Sequence, residues 1–133
     1  IRQGALGRGL PERDMMVSPH HRILVANERT SIRLAEREVL VAAKHLVSQG
    51  VHTVQSSGTT YIHFMCDRHE VVLCDGVWTE SFQPDDHTMK GLGNAQRLEI
   101  HEIFPELKTE AGRAAYGPVR HTLTASEAIE LAV

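Results

Sequence analysis

No apolar run in these 133 residues exceeds five, the stretch Val39 to Ala43. That is far short of the roughly 20 residues needed to cross a bilayer. No secretory hydrophobic region opens the chain either. Cysteine is nearly absent, and two thiols, Cys66 and Cys74, cannot form a disulfide framework. Charge of one sign is also missing: 14 basic against 17 acidic residues, spread along the chain, give a net charge of −3. This leaves no basic footprint for nucleic acid. With 41% hydrophobic and 23% charged residues, a disordered polyelectrolyte is excluded as well. What remains is a chain of ordinary composition and single-domain length. Two features stand out: nine His, and a first residue that is Ile rather than Met, expected for a piece of a longer polypeptide.

No repeat or low-complexity segment interrupts the chain. Residues 1–13 carry Gly4, Gly7, Gly9 and Pro11 and read as an irregular lead-in. Short strands are then expected at Met15–Ser18 and Arg22–Val25, with Pro19 stopping the first because it has no amide proton to donate. Asn27-Glu28-Arg29 reads as a turn. Val39-Leu40-Val41 reads as a strand leading into one helical turn at Ala42–Leu46. Further strands are expected at His52–Gln55 and Thr60–Cys66, the second with Ile62, Phe64 and Cys66 on one face. Val71 to Trp78 is a hairpin with Asp75-Gly76 at its turn, a pair suited to positive φ at both central positions. About seven or eight short strands predict an all-β core over residues 1–90. The remainder, 91–133, has helical spacing at Ile100, Ile103, Phe104 and Leu107, which Pro105 should end or kink. Thr124-Ala125-Ser126-Glu127 has the form of a capping box. It predicts a C-terminal helix with Ala125, Ala128, Ile129 and Ala132 as its apolar stripe, packed on the β core.

Two segments could carry chemistry. In Ser18-Pro19-His20-His21, a hydroxyl lies three residues before an imidazole at a break between strands. Such a pair can address one reacting group, the imidazole moving a proton and the hydroxyl orienting a carbonyl. The alternative is a Ser-Pro turn with two solvent-exposed His. In His63–His69, the spacing of His63, Cys66 and His69 suits zinc. Strand parity opposes that reading, because residues three apart point to opposite faces. The alternative places Cys66 in the core and Asp67-Arg68-His69 in a polar connection. Cys66 and Cys74 sit in apolar runs and read as inert buried thiols. Gly4–Gly9 follows no strand, and Ser56-Ser57-Gly58 lacks the Gly-x-Ser-x-Gly elbow, so neither a phosphate loop nor a hydrolase nucleophile is expected.

Three segments taken together, VSPHHRILV, EVLVAAKHLV and TYIHFMCDRHEVVLCDGVWTESF, resemble in order and spacing the bacterial Hedgehog/intein (Hint) domain family. The lead-in GALGRGLPERDMMVSP and the tail are similar to the same branch. The resemblance implies an all-β, Hint-type horseshoe of curved strands and hairpins, here incomplete, with a short C-terminal helical segment. It also implies autocatalytic self-cleavage, in which an N-terminal Cys or Ser attacks the preceding carbonyl and converts an amide into a thioester or ester. Ser18 and His21 match the family's Thr-x-x-His motif, with Ser in place of Thr. His21 is then the group that protonates the departing amide nitrogen, and Ser18 assists at the scissile peptide. Asp67 and His69 resemble a later motif that contributes a second polar group. No cofactor is implied and no metal.

The chain departs from the family pattern at two places. The nucleophile segment is expected upstream of Ile1, so the upstream part of the same polypeptide is the implied partner and this chain alone is expected to be inactive. The strand Val77–Phe82 does not end in the His-Asn of inteins, and the chain continues past it, so full splicing is not expected. A degenerate Hint fold serving as an interaction module is the alternative, followed by the zinc module. The compartment is open, with a larger secreted or surface bacterial protein as the expected setting.

Overall fold

Arg22–Val25 (β1) and Val39–Ala42 (β2) pair antiparallel in the register Arg22↔Ala42 to Val25↔Val39. In the computed structural model, which describes residues 1–131, they form the middle of a five-stranded mixed sheet. On one side β1 meets Val77–Glu80 (β4) at Ile23↔Thr79, and β4 pairs with Val71–Cys74 (β3). On the other side β2 takes a short parallel partner, His121–Thr122 (β5). The order is therefore β3-β4-β1-β2-β5. Strands buried on both faces read as continuous apolar runs, and Val39, Leu40 and Val41 are each fully buried.

The β3–β4 hairpin turns through Asp75 (φ 48°) and Gly76 (φ 79°), as the Asp-Gly pair demands. The lead-in lies against this turn: the Glu12 amide donates to the Asp75 carbonyl at 2.9 Å, and Arg13 pairs with the Asp75 carboxylate. Glycine is favoured at position 76 by its φ of 79°, and a Cβ there would also push aside the Leu10 side chain, 2.7 Å away.

The all-β expectation is corrected, because helices occupy more of the chain than strands. Asn27 does not make a simple turn. Its side chain accepts the Thr30 amide proton at 3.0 Å and starts the helix Glu28–Leu34 (α1), a role Asn fills well because its oxygen satisfies an otherwise orphaned N–H. Beyond β4 come Asp86–Lys90 (α2), Asn94–Ile103 (α3) and Glu110–Ala115 (α4), then Ala125–Leu131 (α5) after β5. Pro105 ends α3 and opens a 3₁₀ turn at Pro105–Lys108. The helical turn expected after β2 is present as a 3₁₀ turn at Ala43–His45.

The strands expected at Met15–Ser18, His52–Gln55 and Thr60–Cys66 do not form. Alternation makes a segment fit for a sheet, but a strand needs a sustained ladder, and these segments make only isolated backbone contacts, Met15 with Ile1 and the Phe64 carbonyl with the Phe82 amide. Ile62 is 89% exposed as a result, Cys66 is half-buried, and Cys74 is exposed rather than in the core.

The capping box is present: the Thr124 amide donates to the Glu127 carboxylate at 2.7 Å, and the Glu127 amide donates to the Thr124 hydroxyl. The buried face of α5 is Ala128 and Leu131, whereas Ile129 is exposed. Ala132, the last residue of the expected stripe, lies outside the described residues. Leu123, Ala128 and Leu131 join Ile23, Val39, Val41 and Val77 in one core, so the C-terminal segment is part of the packing that holds the sheet. Ile23→Ala in the central strand is expected to cost about 2–5 kcal/mol, read as a lowered urea midpoint with an unchanged slope. No described helix is long and apolar enough to cross a membrane.

Candidate active site

A cleft of about 360 Å³ opens where the start of β1, the end of β4 and the start of α5 meet. Ser18 and His21 both line it, placed by the tight turn in which the His21 amide donates to the Ser18 carbonyl at 3.1 Å. Pro19 suits that turn because its φ is already fixed. Five of the nine His of the sequence, His20, His21, His45, His63 and His87, line this one cleft. The His20 and His87 rings pack at a tilt with centroids 4.8 Å apart, and the His63 and Phe82 ring centroids lie 5.0 Å apart.

His21 is held from below by β4. Its Nε2 is hydrogen-bonded to the Thr79 hydroxyl, and that hydroxyl donates to the Arg22 carbonyl at 2.8 Å. Burial holds the His21 imidazole below its ordinary pKa of 6.5, with Glu80 opposing and His63 and Arg22 adding to the shift. His20 is shifted down as well, by burial first and then by the charge of Lys44. Both shifts favour the neutral imidazole.

The wall of the cleft carries a polar network centred on Glu80, with Arg22 and Gln83 also lining it and His69 buried behind. Glu80 Oε2 accepts from His69 Nε2 at 2.9 Å and from Arg22 Nη1 at 3.1 Å, and its Oε1 accepts the Arg22 amide proton at 2.9 Å. Arg22 also donates to the Gln83 side-chain oxygen at 2.7 Å. His69 is 1% exposed, and its Nδ1 accepts the Val119 amide proton at 3.0 Å. Its two ring nitrogens are thus both engaged inside the protein, one toward β4 and one toward the C-terminal segment.

Of the four residues singled out from the sequence, Ser18 and His21 come together in the cleft. His69 lies under it, linked through Glu80, and does not line it. Asp67 is exposed on a bend and is not a lining residue. The zinc alternative is set aside. With both nitrogens of His69 occupied, His63, Cys66 and His69 cannot converge on an ion, and no metal-holding group of three such residues occurs among the described residues. Neither Cys lines the cleft, and burial and Asp75 push the Cys74 thiol above its ordinary pKa, away from thiolate chemistry.

Sequence reasoning missed Thr79, Glu80 and Arg22. A signal for Thr79 was present: it shares strand parity with buried Val77, and a hydroxyl at a core position requires a hydrogen-bond partner.

Residues 1–86 match the family model described as the Hint domain. The chain belongs to the Hint domain family. The match contains Ser18, His21 and the whole Arg22–His69–Glu80 network, and it ends at the start of α2. The cleft wall at Thr122–Ala125 comes from beyond the Hint match. No curated protein and no solved structure matches the chain.

Proposed function

We propose that the cleft is the acid–base half of a Hint-type autoprocessing site. Its substrate is the peptide bond preceding a nucleophilic Cys or Ser in the upstream part of the same polypeptide. The observation that carries this reading is His21, anchored by Thr79 and lining an open cleft together with Ser18.

The step balances without a cofactor. The thiol or hydroxyl of the nucleophile attacks the carbonyl carbon, forming a C–S or C–O bond. Its proton passes to the neutral His21 imidazole. His21 returns that proton to the amide nitrogen as the C–N bond breaks, leaving a thioester or ester and a free amine. Neutral His21 is the form that can accept the first proton. The Ser18 hydroxyl donates to the carbonyl oxygen as negative charge develops there. Glu80, Arg22 and His69 are positioning residues that hold β1 and β4 together at the wall of the site, while exposed Asp67 would contribute through solvent. On this reading residues 1–90 carry the Hint portion. Residues 91–133 form an extension that supplies one wall of the cleft.

The test is to express the longer polypeptide and follow its intact mass with time. Cleavage at the peptide bond before a Cys or Ser that opens the domain is expected, and it should be abolished when that residue is replaced by Ala. A parent without such a residue, or one whose mass never changes, would show the fold serving as an interaction module instead.

A further inference from the structure

The hydroxyl of Thr79 has one proton, and the Arg22 carbonyl 2.8 Å away, which can only accept, engages the hydroxyl by accepting that proton in a hydrogen bond. The hydroxyl oxygen can then engage His21 Nε2 only as an acceptor, which requires that nitrogen to carry hydrogen. The other ring nitrogen, Nδ1, is left with its lone pair and has no hydrogen-bond partner among the described residues. We propose that Thr79 is a positioning residue that locks His21 as the Nε2–H tautomer and so makes Nδ1 the atom that receives and returns the proton. This inference rests on the autoprocessing reading for its consequence, but the tautomer itself is a property of the chain as it stands.

The lock is built into the sheet. Thr79 lies opposite Ile23 in the β1–β4 ladder, so the register that pairs the strands also sets the hydroxyl between the Arg22 carbonyl and the imidazole. Thr79 is 3% exposed, so water cannot substitute for the Arg22 carbonyl as the hydroxyl's acceptor. Arg22 is itself fixed from both ends of its backbone: its amide donates to Glu80 Oε1, and its carbonyl accepts from Thr79. A buried histidine whose tautomer is set by the hydrogen bond at its other nitrogen is a general way to aim one lone pair at a reacting group. Without Thr79, both tautomers of His21 become available, and only one presents a lone pair at Nδ1.

Nitrogen-15 NMR of the ring nitrogens in the 133-residue chain, at a pH where His21 is neutral, tests the assignment. The expected spectrum shows Nε2 protonated and Nδ1 unprotonated in the wild type and in Thr79→Ser, and a mixture of tautomers in Thr79→Val. A wild type with hydrogen on Nδ1 overturns the proposal without any variant, as does a folded Thr79→Val that keeps the single Nε2–H form. In the longer polypeptide, Thr79→Val should slow cleavage about tenfold or more, with Thr79→Ser restoring it, as expected of a group acting through general acid–base catalysis. If the tautomer is as assigned but the parent does not cleave, the autoprocessing reading fails while the lock stands. If the parent cleaves through His21 and Thr79→Val leaves both tautomer and rate unchanged, the lock fails while the autoprocessing reading stands.

Discussion

Replacing His21 by Ala in the longer polypeptide should slow cleavage by about 10²–10⁴-fold, the range expected for losing a positioned general acid–base. The loss should appear in the rate of the acyl shift and not in folding, because His21 sits at the cleft and the packed core lies elsewhere. The pH profile supplies a second reading of the same residue. Burial depresses the His21 pKa from 6.5, so the neutral, proton-accepting form persists at and below pH 7. Cleavage should therefore persist to lower pH than an imidazole of ordinary pKa would allow, and fall as the pH passes through the depressed value. Stability follows the same group with a definite sign. Below about pH 6.5 the unfolded chain binds a proton at this position before the folded one does, so His21 makes folding less favourable as the pH falls toward its depressed pKa. Below that value both states are protonated and the contribution stops changing. In His21→Ala this part of the acid destabilisation should be absent, as measured by urea unfolding at pH 7 and at a pH between the two values.

Glu80→Ala should cost about 3 kcal/mol of stability, because it removes a shared charged acceptor, leaving buried His69 Nε2 and the Arg22 amide unpaired and the Arg22 guanidinium with only Gln83 and Asp85, the latter 3.6 Å away. The Glu80 carboxylate is the single acceptor shared by the Arg22 guanidinium, the Arg22 amide and His69 Nε2. The Glu80 side chain is 9% exposed and that of Arg22 19%, so water only partly replaces the lost partner. Glu80→Gln keeps an acceptor for the Arg22 amide but loses the charge, and it should fall between wild type and Glu80→Ala. Because Glu80 braces β1 against β4, the variant should also loosen the Thr79–His21 contact. A lowered urea midpoint checks the first effect, and amide exchange in Arg22–Val25 and Val77–Glu80 checks the second. A Glu80→Ala protein as stable as wild type would mean that the network adds nothing to the fold.

The parts of this protein that sequence made legible are those determined locally. Asp75-Gly76 demands a particular turn, and the Thr124–Glu127 box demands a helix start. The apolar runs at β1 and β2 have nowhere to go but a sheet interior. Other elements depend on partners that sequence spacing does not reveal. Asn27 suits a turn and a helix cap equally well, and only the packing of α1 decides between them. Residues 52–66 alternate like strands yet find no ladder. The site divides in the same way. Ser18 and His21 were legible because they are three residues apart and share one turn. Thr79 and Glu80 come from β4, 58 residues from His21 and Arg22 in the chain, and the β1–β4 pairing alone unites them. The excess of His was equally opaque until the fold gathered five of the nine around one cleft.

Trapping the acyl intermediate tests the central claim most directly. The longer polypeptide, incubated with excess hydroxylamine and weighed intact, should release an N-terminal fragment ending in a hydroxamate, and His21→Ala should release almost none on the same timescale. A fragment ending only in a free carboxylate under those conditions, or no fragment at all, would contradict an acyl shift at this cleft.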